Sequence, residues 1–289
     1  MFAIWRKEIL SFFSSVTGYL VAGVFLLGAA LFLWIIPGNL NIPLNGYATL
    51  DSLFFLAPWL YLFLVPAVTM RLFSEEKKSG TIELLLTKPV TDWQIITGKY
   101  LAGLTLVVIS LLPALIFYMS VNYLSQPVGN MDHGATCGSY LGLVFLAAVY
   151  VSIGIFTSST TNNQAVAFVL AIVGCFFFYD GFQALSLIPF FRSVADIIVF
   201  CGIDEHYQSI SRGIIDSRDI VYFAGIIIFF LFLTKLSIGR KRYVHNPLFT
   251  VSLILAVIIV LNLASSKWFL RIDLTKEKRY SSIHHQTKS

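Results

Sequence analysis

Apolar residues gather in seven nearly uninterrupted runs, at about 16–36, 52–70, 100–122, 139–158, 164–179, 220–238 and 248–264. Each is about 20 residues long, and a helix of that length spans about 30 Å, the thickness of a bilayer's hydrocarbon core. Inside that core every backbone amide and carbonyl needs an internal partner, and an ionisable side chain at the centre costs about 2.5 kcal/mol or more. The runs therefore predict membrane-spanning helices. Ahead of the first run, Phe2, Ile4, Trp5, Ile9, Phe12 and Phe13 are interleaved with Arg6, Lys7, Glu8 and Ser11. That spacing makes one apolar and one polar helical face, and predicts an interfacial helix over 1–15 with Trp5 and the basic pair at headgroup depth. The pattern as a whole predicts an all-α polytopic membrane protein.

Composition agrees. Of 289 residues 57% are hydrophobic and 12% charged, about half the charged share of a soluble domain, which excludes a soluble globule. The net charge of +5 sits at span ends and is not read as a nucleic-acid patch. Lys and Arg favour the cytoplasmic side of short loops. Arg6 and Lys7 precede the first span, Arg71, Lys77, Lys78, Lys88 and Lys99 follow the second, and Arg240, Lys241 and Arg242 follow the sixth, whereas 37–51 and 123–138 hold no Lys or Arg. This places the N-terminus inside. The loop 191–219 mixes Arg192, Arg212 and Arg218 with five carboxylates, and parity places it outside. Cys137, Cys175 and Cys201 have no metal-ligand or disulfide spacing, and the first run is read as retained rather than as a cleaved signal.

The informative loop is 71–99. Ser79-Gly80 interrupts the helical run continuing from the second span, and Thr81 is expected to cap a short helix over 82–87 that Pro89 ends. Thr91-Asp92-Trp93-Gln94 has the form of a capping box and starts the helix of the third span. Helix, break, short amphipathic helix and re-entry make a framed piece that can transmit force to or from a cytoplasmic partner.

In this loop, Phe73-Ser74-Glu75-Glu76-Lys77-Lys78-Ser79-Gly80-Thr81-Ile82-Glu83-Leu84-Leu85-Leu86, then Pro89-Val90 and Gly98-Lys99, the chain resembles the permease subunits of ABC-2-type ATP-binding-cassette exporters, whose pattern is E-E-K-x-x-G-T-x-E-x-L-L. A weaker likeness is the polar turn Ser158-Ser159-Thr160-Thr161-Asn162-Asn163-Gln164-Ala165 before the fifth span. The resemblance implies an elbow helix (1–15), a six-span permease domain (16–240) with its coupling loop at 71–99, and an external segment at 180–219. It also implies docking and hinge roles for Glu75, Glu76, Gly80, Thr81 and Glu83 against a cytoplasmic P-loop ATPase, which would hold the ATP and Mg. A second permease half or a companion membrane protein would complete the path. No G-x-x-x-x-G-K-[ST] phosphate loop occurs in this chain, so no cofactor and no enzymatic activity are expected of it. The loop's wording is most similar to the gliding-motility group of permeases, the GldF type, which implies a bacterial inner membrane.

Beyond Arg242 the seventh run and a tail (241–289) follow. By parity the tail lies in the periplasm, yet it carries Lys267, Arg271, Lys276, Lys278 and Arg279, against the charge tendency. Arg271, Asp273-Leu274-Thr275 and Lys278-Arg279-Tyr280-Ser281 resemble the start of the GldG-type companion of that system, one span followed by R-x-D-L-T-x-x-K-R-Y-S. That likeness implies a permease fused to its companion's first span, interrupted after Ser281; the alternative is a lineage-specific extra helix.

Three other readings rest on particular residues. Glu75-Glu76 suggests an E-E-x-x-x-R intramembrane protease, but Gly80 stands where that motif needs Arg. His133, His206, His245, His284 and His285 are too scattered for metal ligation. Asp180, with Gln183 nearby, is the one carboxylate embedded in a long apolar stretch. It marks either an intramembrane polar site or, as favoured here, the end of the fifth span before a re-entrant hairpin over 182–191. The rival functions are a membrane anchor for a motility or secretion machine and an ion-coupled carrier, which calls for more intramembrane charge than Asp180 supplies.

Overall fold

A computed structural model describes residues 1–87 and 89–239, together with Ser252, Ala256 and the strand Arg271–Asp273. Lys88, the triplet Arg240, Lys241 and Arg242, the expected seventh span and most of the tail lie outside the described residues. Six described helical segments are long and apolar enough to cross a membrane: Gly18–Ile35, Asp51–Lys78, Asp92–Leu124, His133–Thr160, Gln164–Ser186 and Ser217–Ile238. They coincide with the first six apolar runs, and the chain is an all-α polytopic membrane protein.

In chain order the helices are α1 (Phe2–Phe13), α2 (Val16–Ala30, continued by a π turn Leu31–Ile35), α3 (Ile42–Asn45), α4 (Asp51–Thr69), α5 (Arg71–Lys78), α6 (Thr81–Leu86), α7 (Asp92–Leu111) and α8 (Leu115–Leu124). There follow α9 (His133–Thr160), α10 (Gln164–Phe176), α11 (Phe182–Ser186), α12 (Ala195–Phe200), α13 (Ile203–Ser211) and α14 (Ser217–Ile238). The third span runs through Pro113, which lacks a donor, as a 3-10 turn Leu112–Ala114 between α7 and α8. One end of the bundle, the basic end, carries α1, α5 and α6; the other carries α3, α12 and α13.

The bundle is organised around α9, which packs against α4, α5, α7, α10, α13 and α14. Its buried positions mix large apolar residues such as Leu143, Leu146, Tyr150 and Ile153 with small or polar ones: Gly138, Gly142, Ala147, Ser152, Gly154 and Ser158. In lipid no hydrophobic force draws helices together, so small side chains that let backbones approach, plus hydrogen bonds, must do so. At Gly154 the approach is closest, since a methyl there would lie 2.0 Å from Thr69 Oγ1 of α4. Outward faces of the spans expose Leu20, Leu27, Phe63, Ile116, Met119, Val169, Val173 and Ile228, the inverse of a soluble fold and the surface a bilayer covers.

One expectation is corrected. Asp180-Gly181 does not close the fifth span: Gly181 keeps helical angles, φ −61 and ψ −33, and the helix passes through a π turn Phe177–Gly181 into α11. The chain turns later, at the 3-10 segment Pro189–Val194, and α12 comes back beside α11. The elbow α1 packs against the third span, where the Trp5 indole N–H donates to Thr105 Oγ1 of α7 at 3.1 Å.

A short strand β1 (Ile214–Asp216) precedes α14 and pairs antiparallel with β2 (Arg271–Asp273), Ile215 opposite Ile272. Gly239, just past α14, therefore lies at the basic end while Arg271 lies at the other.

Candidate functional site

At the basic end, α4 breaks at Met70 and α5 begins there, which leaves the first amides of α5 without helical acceptors. Ser158 of α9 supplies one: its Oγ accepts from Phe73 N at 3.0 Å and Ser74 N at 3.1 Å and donates to Met70 O at 2.9 Å. The next carbonyl, Ser159 O, accepts from Lys77 Nζ and, at 2.8 Å, from Ser237 Oγ of α14. The polar turn noted in the sequence is thus the strut that fixes α5 to the bundle core.

After α5, Gly80 adopts φ 71 and ψ 0, the left-handed conformation that a residue with a Cβ rarely adopts. The helix breaks there and α6 leaves in a new direction. Gly80, not Thr81, holds the N-cap position, a correction to the expected cap. Thr81 is the first helical residue, and its hydroxyl pairs with Ser79 Oγ at 2.8 Å across the break. Ile82 and Leu85 of α6 pack against the core, while Thr81, Glu83 and Leu84 are exposed, Leu84 at 67%. The capping box forms as the sequence predicts: Thr91 Oγ1 accepts from Gln94 N at 3.3 Å and Thr91 N donates to Gln94 Oε1 at 3.1 Å. A short helix with one apolar face inward and Leu84 outward is thereby held between a left-handed break and a capped re-entry.

The carboxylates expected to dock separate into two kinds. Glu75 faces solvent and pairs with Arg71 one turn back at 3.3 Å, and Glu83 is exposed in the first turn of α6. Glu76 points the other way. Its Oε1 lies 3.0 Å from both Lys7 Nζ of the elbow and Lys99 Nζ of α7, and its Oε2 is buried with no hydrogen-bond partner among the described residues. Glu8 Oε1 lies 2.8 Å from Lys99 Nζ. Burial opposes the charge on Lys7, but its hydrogen bond and attraction to Glu76, joined by Glu8, outweigh that and raise its pKa. Sequence reasoning missed this cluster and counted its lysines as rim charge, because Glu8 and Lys99 are 91 residues apart.

At the opposite end, Asp180 and Gln183 line an open cleft of about 1100 Å³ with Asp51, Asp204, Gln208 and Arg212. Trp59 and Tyr179 form part of its wall. Burial raises the pKa of Asp204, hydrogen bonds from Tyr179 and Gln208 pull it back, and repulsion from Asp180 and Glu205 adds to the rise. His206, which the sequence leaves isolated, is buried behind this wall: Nδ1 lies 2.7 Å from Asp219 Oδ1 and Nε2 3.0 Å from Phe200 O. The two ends therefore differ in kind, one a rigid exposed knuckle and the other a carboxylate-lined hollow.

Comparison with protein families matches residues 47–264 to the ABC-2 family transporter protein model. That stretch runs from just ahead of α4 past α14, so it takes in the knuckle, the polar turn and the cleft. No curated protein matches the chain.

Proposed function

The chain belongs to the ABC-2 family of transporter proteins, a membrane permease subunit of an ABC exporter, and from that premise we propose that α6 is the docking knuckle for a separate cytoplasmic P-loop ATPase. The single observation that carries this reading is α6 itself. Leu84 is 67% exposed at the basic end, on a helix that follows α5, which Ser158 pins to the bundle, and that precedes the Thr91 cap of α7. A short helix held in a fixed frame with a leucine turned outward fits the mode of recognition in which a helix enters an apolar groove. Glu83 and Glu75 flank it and supply charge at the rim; Gly80 and Thr81 set its direction; Glu76 acts from behind.

In this reading the basic end is cytoplasmic, and the cleft at Asp180, Gln183 and Asp204 is the far mouth of a path completed by a second permease half. ATP-driven closure of the partner subunits would push α6 and shift the access of that path. The wording of 73–99 supports assignment to a gliding-motility exporter of the GldF type, in a bacterial inner membrane. The pairing of Arg271–Asp273 with β1 supports a periplasmic position for the GldG-like tail. Co-purification tests the reading: with the partner ATPase co-expressed, Leu84→Glu should abolish recovery of the ATPase with the permease, while a lipid-facing change such as Ile116→Leu should leave recovery unaffected. Undiminished recovery with Leu84→Glu would refute it.

A further inference from the structure

Gly98 and Lys99 are consecutive in α7, and both meet the elbow. A methyl at Gly98 would lie 3.1 Å from Met1 O and 3.2 Å from Ile4 Cβ, so α1 rests there on bare backbone. One residue on, Lys99 is fully buried, and its ammonium has three acceptors: Glu8 Oε1 of α1 at 2.8 Å, Glu76 Oε1 of α5 at 3.0 Å and Leu72 O of α5 at 2.6 Å. Three N–H groups meet three acceptors, and the centre of the Phe73 ring lies 5.0 Å from the same nitrogen. Lys7 bridges the two carboxylates from outside, at 3.6 Å from Glu8 and 3.0 Å from Glu76. Two cations and two anions balance.

Such a cluster is not explained by stability. Desolvating charges offsets most of their attraction, and well-packed apolar side chains of the same volume serve a fold as well or better. What the charges add is direction. Three elements far apart in sequence meet at one nitrogen, and slipping any of them leaves a buried charge unpaired. Glu76 Oε2 is already buried without a partner among the described residues, so the cluster has no spare donor with which to absorb a slip.

We propose that Lys99 is a positioning residue for the coupling loop, clamping the elbow α1 to α5 so that displacement of α6 by the partner ATPase carries the elbow with it. The proposal rests on the docking reading above. Gly98 provides the close seat and Lys99 the lock; a push that enters at α6 passes through Gly80 to α5, and through Glu76 and Lys99 to α1 and the head of the third span. The elbow, lying at the inner leaflet, is then a moving part of the stroke rather than a passive anchor.

The test uses the full chain co-expressed with its ATPase, in nanodiscs, with Cys137, Cys175 and Cys201 replaced by Ala. Spin labels at exposed Thr87 or Ser11 are each paired with one at exposed Leu187 on the opposite end. In the parent, ATP with vanadate should shift both distances. In Lys99→Met the Thr87 distance should still shift while the Ser11 distance stays at its nucleotide-free value, and Lys99→Arg should restore the Ser11 shift. If Lys99→Met does not accumulate, Lys99→Met with Glu76→Gln keeps the remaining Lys7 and Glu8 balanced and is read the same way. A Ser11 shift that survives loss of Lys99 overturns the proposal. A parent in which nucleotide moves neither label overturns the docking reading, and the proposal with it.

Discussion

The hydroxyl of Ser158 caps the helix that begins at Met70 by accepting from the amide of Phe73, 85 residues away, at 3.0 Å. A helix interrupted at the membrane face exposes amides that lipid cannot satisfy, and a serine from a neighbouring span does so here. Ser158→Ala leaves two buried amides without that acceptor and should lower stability by about 1–2 kcal/mol. Thermal unfolding in detergent measures it, and Ser158→Thr should keep part of the cap.

Gly80 takes φ 71 with nothing within reach of an added methyl, so the penalty of Gly80→Ala is conformational rather than steric. A left-handed non-glycine residue costs about 1–2 kcal/mol. The expected result is weakened ATPase recovery with the membrane fold retained, read by co-purification beside circular dichroism.

Gly154 meets Thr69 so closely that an added methyl would lie 2.0 Å from Oγ1, the shortest such approach among the described glycines. Gly154→Ala should destabilise by about 1–3 kcal/mol because overpacking forces the two helices apart. Thr69→Ala in the same chain should recover part of the loss, since the clashing Oγ1 is removed. A thermal-shift double-mutant cycle measures the coupling.

Asp204 holds its proton to higher pH in the folded state than the ordinary carboxylate value of 3.8. Between those two values the folded chain binds a proton that the unfolded chain has released, so stability falls as pH rises through that window and stays lower above it. Asp204→Asn cannot ionise, and its one carbonyl oxygen can still accept from Gln208. The variant should therefore gain stability over the parent at neutral pH and match it below pH 3.8, in melting curves taken across the acid range.

Much of this architecture is legible in the sequence because lipid is a demanding solvent. Six apolar runs become six described spans, and local chemistry shows through wherever partners are close in sequence, as at Thr91 with Gln94 and at the Gly80 break. What is hidden is long-range. Lys99 reads as one more positive charge until Glu8 and Glu76 are folded onto it, and His206 reads as isolated until Asp219 arrives from the next helix. Asp180-Gly181 looks like a terminus because glycine after a polar residue often ends a helix, but a π turn absorbs it and carries the span on to Ser186. Glu76 shares its motif with Glu75 yet faces inward, which only the helical phase of α5 against the elbow decides.

The most direct measurement places a photo-crosslinking amino acid at Leu84 in the full chain, in its native membrane, and identifies what it captures. The account predicts a P-loop ATPase, captured at Leu84 and not at the lipid-facing Ile116. A well-expressed protein whose Leu84 probe captures only lipid would contradict it.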